Sequence, residues 1–285
     1  MREKILNLLS ENASPDAVAW LRETISSQEA AFEKRPFYYA FSGVSRHFDK
    51  AGRLPADADE VFGGWDQYRL ARVALLLLLA PQGKEVFVET FHAILNTADL
   101  REQVALFSAL PWLPHPEDIR EAAVDGLRSN IVDIYDSIAL DNAFPARHFS
   151  DDAWNQMVLK AIFITRPLHR IVGIADRKNQ RLAEAISDLA HERWAAGRTI
   201  TPEAWQNCEG FINERLAHDI TRISESEIPD DRAAAALVTS TDRSGKLENL
   251  RDSLVAELSH IQSGALTWKS LGQSMEEKLV RKSLT

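Results

Sequence analysis

Apolar residues recur every three or four positions along almost the whole chain, while strict two-residue alternation is nearly absent. The first pattern gathers side chains on one face of a helix and the second on one face of a strand, so the chain is confined to helical architectures. The punctuation agrees. Ser14-Pro15 supplies an N-cap and then a proline at the first helical position, ahead of Val18, Leu21 and Ile25. Phe37, Phe41, Val44 and Phe48 form the next stripe, and residues 49–64, with Gly52, Pro55, Gly63 and Gly64, read as a loop. Residues 66–80 are apolar on nearly all sides, which predicts a central buried helix stopped by Pro81 and Gly83. Asp99 and Glu102 have the spacing of a capping box. Ser150 is placed to cap a helix over 151–165, and another follows over 178–196. Thr201-Pro202 is expected to open one more, with Ile200 packed on Trp205. The expected fold is all-α: an irregular multi-helical stack, a HEAT-like α-solenoid or a helical bundle, with the stack favoured and no repeat period fixed.

The character changes near residue 222, where Ser224–Asp231 is polar, acidic and broken by Pro229. The expected organisation is an all-α domain over 1–221, a polar linker with a short helix over 222–246, and a helical C-terminal extension over 247–285. Leu247, Leu250, Leu254, Leu258 and Ile261 form a narrow seam in that extension. The seam must be covered, by the main body or by a second subunit, so a homodimer through the C-terminal helix is one expectation.

With 285 residues, 45% of them hydrophobic, the chain buries enough surface to need no disulfide or structural metal. Its single cysteine, Cys208, excludes a disulfide framework and multi-cysteine zinc sites. The Leu75–Leu79 run falls far short of the ~20 apolar residues that span a bilayer, and the charged start, Met1-Arg2-Glu3-Lys4, lacks a signal-peptide core. The expectation is a cytoplasmic protein with no transmembrane segment. A formal charge of −9 argues against nucleic acid as a partner.

No catalytic motif stands out, and nothing calls for a cofactor. The helix at 151–165 leaves Gln156 and Lys160 on one narrow line, with Asn155 on a separate flank. A lysine there must snorkel to water, pair with a carboxylate or bind an anion, because an unpaired buried ammonium loses its proton. Arg193 falls on the apolar side with Leu182, Ile186 and Leu189, where a guanidinium needs a carboxylate or an aromatic face. Arg193 and Arg198 could together hold a phosphate, although no Gly-rich loop accompanies them. His191-Glu192 begins a metalloprotease pattern that Ala195 breaks. Asp188/His191 have dimetal spacing whose nearest matching acids, Asp133 and Asp136, lie opposite the apolar stripe Ile131, Ile134, Tyr135 and Ile138, where acids are solvated. No metal is expected. Cys208 reads as a buried small residue whose acidic neighbour Glu209 raises its thiol pKa. The candidate ligand-binding residues are therefore Asn155, Gln156, Lys160, His191, Arg193 and Arg198, with no catalytic residue assigned.

Several blocks together, LFSALPWLPHPE (106–117), RSNIVDIYDSIALDNAFP (128–145), AWNQMVLKAIF (153–163), RPL (166–168) and HERWAAGR (191–198), resemble the EboA family. WDQYRLARVALLLL (65–78) fits as well, and the likeness spans roughly residues 37–215. The resemblance implies an all-α protein encoded in a small bacterial gene cluster beside a prenyltransferase-like membrane protein, a sugar-phosphate-cyclase-like enzyme and metal-dependent hydrolase or isomerase relatives. It implies a part in making or exporting a small secondary metabolite and supplies no catalytic residues. The expected function is a non-catalytic binding or scaffold protein for a small polar or anionic metabolite, with protein partners from the same pathway. The alternative is an enzyme of that pathway with a pocket between the 151–165 and 178–196 helices.

Overall fold

The computed structural model describes residues 1–283. It is helical, and the described residues hold no strand beyond one isolated bridge between Arg53 and Asp66. The chain divides into two compact units, Met1–Phe149 and a second beginning at Ser150.

The first unit comprises α1 (Arg2–Asn12), α2 (Pro15–Ala30), α3 (Lys34–Gly43), α4 (Gln67–Leu76), α5 (Lys84–Thr97), α6 (Leu100–Ala109), α7 (Pro116–Gly126), α8 (Val132–Ala139) and α9 (Phe144–His148). The expected caps are present: Ser14 Oγ accepts from the Ala17 amide, and Asp99 and Glu102 complete a reciprocal capping box at 2.8 and 2.9 Å. Helix α4 is the core, packing against α1, α3 and α6, so this unit has a central helix that a one-dimensional stack lacks. Leu70, Val73, Leu75 and Leu76 are fully buried. The helix is shorter than the apolar span predicts. Leu78 and Leu79 are drawn inward by i→i+3 bonds to Leu75 and Leu76, which tighten the chain ahead of Pro81. One charge enters this core. Arg72 donates to the Phe41 carbonyl at 3.2 Å and lies 3.6 Å from Glu102 Oε1, while Glu102 Oε2 caps α6. Burial pulls the Arg72 guanidinium below the usual arginine value, and Glu102 is the main charge opposing that shift.

The second unit comprises α10 (Asp151–Phe163), α11 (Gln180–Ala195), α12 (Glu214–Ser224), α13 (Pro229–Thr241), α14 (Val255–Gln262) and α15 (Trp268–Ser283), with 3-10 segments at Leu168–Arg170 and Pro202–Cys208. The stretch after Thr201 is this 3-10 segment rather than the expected α-helix, and Thr201 makes no side-chain cap bond. All seven of its residues are buried, so it has no solvent face to act as one side of an amphipathic helix. Helices α11 and α13 pack on it, and α13, inside the stretch read as a linker, is buried from Ala234 to Thr239. The leucine seam is not one helix face either. Leu247, Leu250 and Leu254 are buried through tight turns before α14 begins, whereas Leu258 and Ile261 on α14 are half-buried. Among the described residues, no helix is long and apolar enough to cross a membrane.

Candidate functional site

Ser150 caps α10, and one turn later Asn155 is buried. Its amide exchanges hydrogen bonds with Asn179 at 2.8 and 3.1 Å, and Asn179 Oδ1 accepts the Leu182 amide at the start of α11. Asn155 therefore orients the N-cap of the neighbouring helix. Gln156 is exposed; Lys160 is half-buried, and burial holds its ammonium below the ordinary lysine value.

His191 lies twelve residues beyond Asn179 on α11, about 18 Å along the axis. It serves a different partner. His191 Nε2 is 2.7 Å from Asp219 Oδ1 on α12, and Ser187 donates to the other carboxylate oxygen at 2.5 Å. Because the hydroxyl bonds the acid and not the imidazole, the three do not form a nucleophile–base relay. Arg193 Nε donates to the Thr199 carbonyl at 2.7 Å. The Arg198 amide closes on the Arg193 carbonyl and Gly197, at φ 68°, on Trp194, which is a Schellman ending. Both arginines thus sit at the negative end of α11, a place that favours cations and disfavours a bound phosphate. Burial, with Asp219 and Glu209 nearby, pushes the Cys208 thiol far up and leaves it inert.

A concave site forms elsewhere in this unit. Helix α10 ends with the Arg166 amide on the Ala161 carbonyl and the Thr165 amide on Ile162, a second Schellman ending in which Thr165 takes the left-handed position at φ 58°. A β-branched residue there is strained by about 1–3 kcal/mol, and such strain gathers at functional sites. The chain then runs through Arg166 and Pro167 into the 168–170 turn. Buried Glu203 receives that turn: Oε1 accepts the His169 amide at 2.7 Å and Oε2 the Leu168 amide at 3.3 Å. His169 Nδ1 lies 3.1 Å from Glu203 Oε1, and Nε2 lies 3.2 Å from Glu276 Oε2 on α15. Each ring nitrogen thus faces one carboxylate oxygen. Arg170 completes the chain, donating to Glu276 Oε1 at 3.1 Å. A Cβ added at Gly272, one turn before Glu276, would overlap Glu203 Oε1 and His169 Nδ1, so only glycine lets α15 approach this pair.

Beside this frame lies a cleft of about 300 Å³. The Thr165–Pro167 segment, Thr201 and Glu203 line one side; Met275, Glu276 and Leu279 of α15 line the other. Its walls are largely apolar, with two hydroxyls and a guanidinium among them. A third grouping, His115, Glu117 and Asp118 at the start of α7, is the cluster of metal-ligand type among the described residues. The Lys84 ammonium, 2.7 Å from Asp118 and 3.4 Å from Glu117, already supplies its cation.

The cleft uses Arg166 and Pro167, inside one of the blocks that carry the family resemblance, but Glu203, His169 and Glu276 escaped the sequence reading. No sequence signal marked them: Glu203, just after Thr201-Pro202, reads as an ordinary acid in the first turn of a helix. A family model described as "Metabolite traffic protein EboA" matches residues 1–209. No curated protein and no solved structure matches the chain.

Proposed function

The chain belongs to the EboA family, and from that premise we propose that it is a non-catalytic binding protein that holds a small secondary metabolite in the cleft beside α15 during its synthesis or export. The observation that carries this reading is the cleft's make-up. Its volume suits a small molecule. Pro167, Met275 and Leu279 offer an apolar wall, while Thr165, Arg166 and Thr201 offer hydroxyls and a positive charge for a polar or anionic end. The carboxylates at its edge are engaged by His169, Arg170 and backbone amides, which frames the cleft. Other proteins of the same pathway would deliver and receive the metabolite. Calorimetric titration with octanoate and with octylamine tests the ligand chemistry. Octanoate should bind at one site and lose about tenfold in affinity on Arg166→Gln, one charge-assisted contact. Preference for the amine, or no saturable binding of either, overturns it.

One observation favours an enzyme instead. His191 keeps 45% of its side chain exposed while buried Asp219 holds its Nε2, an arrangement suited to proton transfer. A stable His191→Ala variant that stops metabolite production in cells would support this reading, and normal production would remove it.

A further inference from the structure

Helix α15 lies beyond the residues that the family model matches, yet it supplies one wall of the cleft. Its attachment is unlike that of the other long helices of its unit. Of its described large apolar side chains, Leu271 alone is buried; Trp268 and Met275 are half-buried, and Leu279 is 52% exposed. Helix α13, by contrast, buries a continuous run from Ala234 to Thr239. Polar contacts do the holding on α15. Trp268 Nε1 donates to Glu209 at 2.8 Å, Glu276 meets His169 and Arg170, and Lys278 grips both oxygens of Asp230 at 2.8 Å. Helix α14, which leads into it, has no buried residue.

We infer that α15 is a displaceable strap across the cleft, latched by Glu276 on His169 and Arg170, and that its release opens the cleft to its ligand. Segments with few buried apolar contacts open at lower free energy than the core that carries them. Water can replace each of the three polar attachments as they separate, while the single buried leucine opposes opening only weakly. Gly272 makes the closed position specific, because α15 can reach Glu276's partners only where its backbone lies flush on the Glu203–His169 pair. Lifting the helix removes Met275, Glu276 and Leu279 from the cleft wall and leaves the side formed by Thr165–Pro167, Thr201 and Glu203 in place. The assignment of a metabolite to the cleft rests on the proposed function; the strap itself does not.

Hydrogen exchange on the full chain without ligand tests the strap directly. Amides of residues 271–276 should exchange at least about tenfold faster than those of α13, since they open without global unfolding. Glu276→Gln, and independently Gly272→Ala, should accelerate α15 further while leaving α13 unchanged. Protection on α15 equal to that on α13 and insensitive to both variants overturns the inference. If Glu276→Gln fails to fold, Gly272→Ala decides the matter. A final arm adds octanoate to the wild-type chain. Slowed exchange on α15 supports both readings, whereas fast exchange with no octanoate binding leaves the strap standing and removes the metabolite from the cleft.

Discussion

Each unit of this protein carries a buried network of opposite charges, and the two are built for different ends. In the first unit, Arg72 and Glu102 are sealed between α4 and α6, helices held by continuous apolar packing, and the side chains are 2% and 10% exposed. In the second, the chain Glu203–His169–Glu276–Arg170 runs from a fully buried carboxylate to one that is 35% exposed beside a cleft. A sealed pair can only position its helices. A graded one has an end that solvent and ligands can reach, so its outer contact can be exchanged at modest cost while its inner contact persists.

The largest expected effect concerns the apolar frame under the second network. Truncation after Ser224 removes α13, which covers the buried 202–208 segment, and should abolish the melting transition of the second unit. That is a loss of more than about 5 kcal/mol, comparable with a whole domain's stability. Calorimetry should still show the first unit melting; an unchanged profile would show that α13 is dispensable. Next in size is Glu102→Gln, which keeps the cap acceptor of α6 but strands the Arg72 charge. A cost of about 3 kcal/mol is expected, largely recovered in Arg72→Met/Glu102→Gln. Equal destabilisation by the single and double variants would show that the charge pair is not what Glu102 supplies.

Glu203→Gln should cost about 2 kcal/mol, because one of the three donors at a buried acceptor loses its partner. The comparison breaks if Glu276→Gln, at the outer end, costs as much. Thr165→Gly should raise stability by about 1 kcal/mol through relief of the left-handed strain. The same change should weaken octanoate binding if the threonine is retained for the cleft, and a gain in stability with unchanged binding would detach the strain from function. The smallest effect is a pH effect at Asp231, on the first turn of α13. Burial raises its pKa from 3.8, the Ser226 hydroxyl partly offsets this, and Asp230 adds to it. A raised carboxyl favours the protonated fold, so its contribution is full below the unfolded value and is lost as pH rises through the folded one. Asp231→Asn should therefore raise the melting temperature by about 1–2 °C at pH 7, a few tenths of a kcal/mol, with no gain at pH 3. A gain of equal size at both pH values would contradict the burial argument.

Much of the fold was readable one helix at a time. The cap at Ser14, the capping box at Asp99 and Glu102, and the buried character of α4 all follow from residues within a turn or two of each other. Reading failed where packing overrides local pattern. The all-buried 202–208 segment has no face to give a period, and the seam leucines reach the core through tight turns. Three of the candidate site residues, Asn155, His191 and Arg193, each meet a polar partner. Their partners are an N-cap, a buried aspartate and a backbone carbonyl, and they do not converge on one another.

The sequence by itself determined that the protein is all-α and where several helices begin, as at Ser14 and Asp99, since those caps and the helical period are satisfied within a few residues and need no tertiary partner. Only the tertiary structure decided which polar groups meet. Glu203 lies 34 residues from His169, and Glu276 lies 106 from Arg170. No spacing rule links positions so far apart, because their encounter depends on how several helices pack; at Glu203, where burial excludes water, the contact is then obligatory.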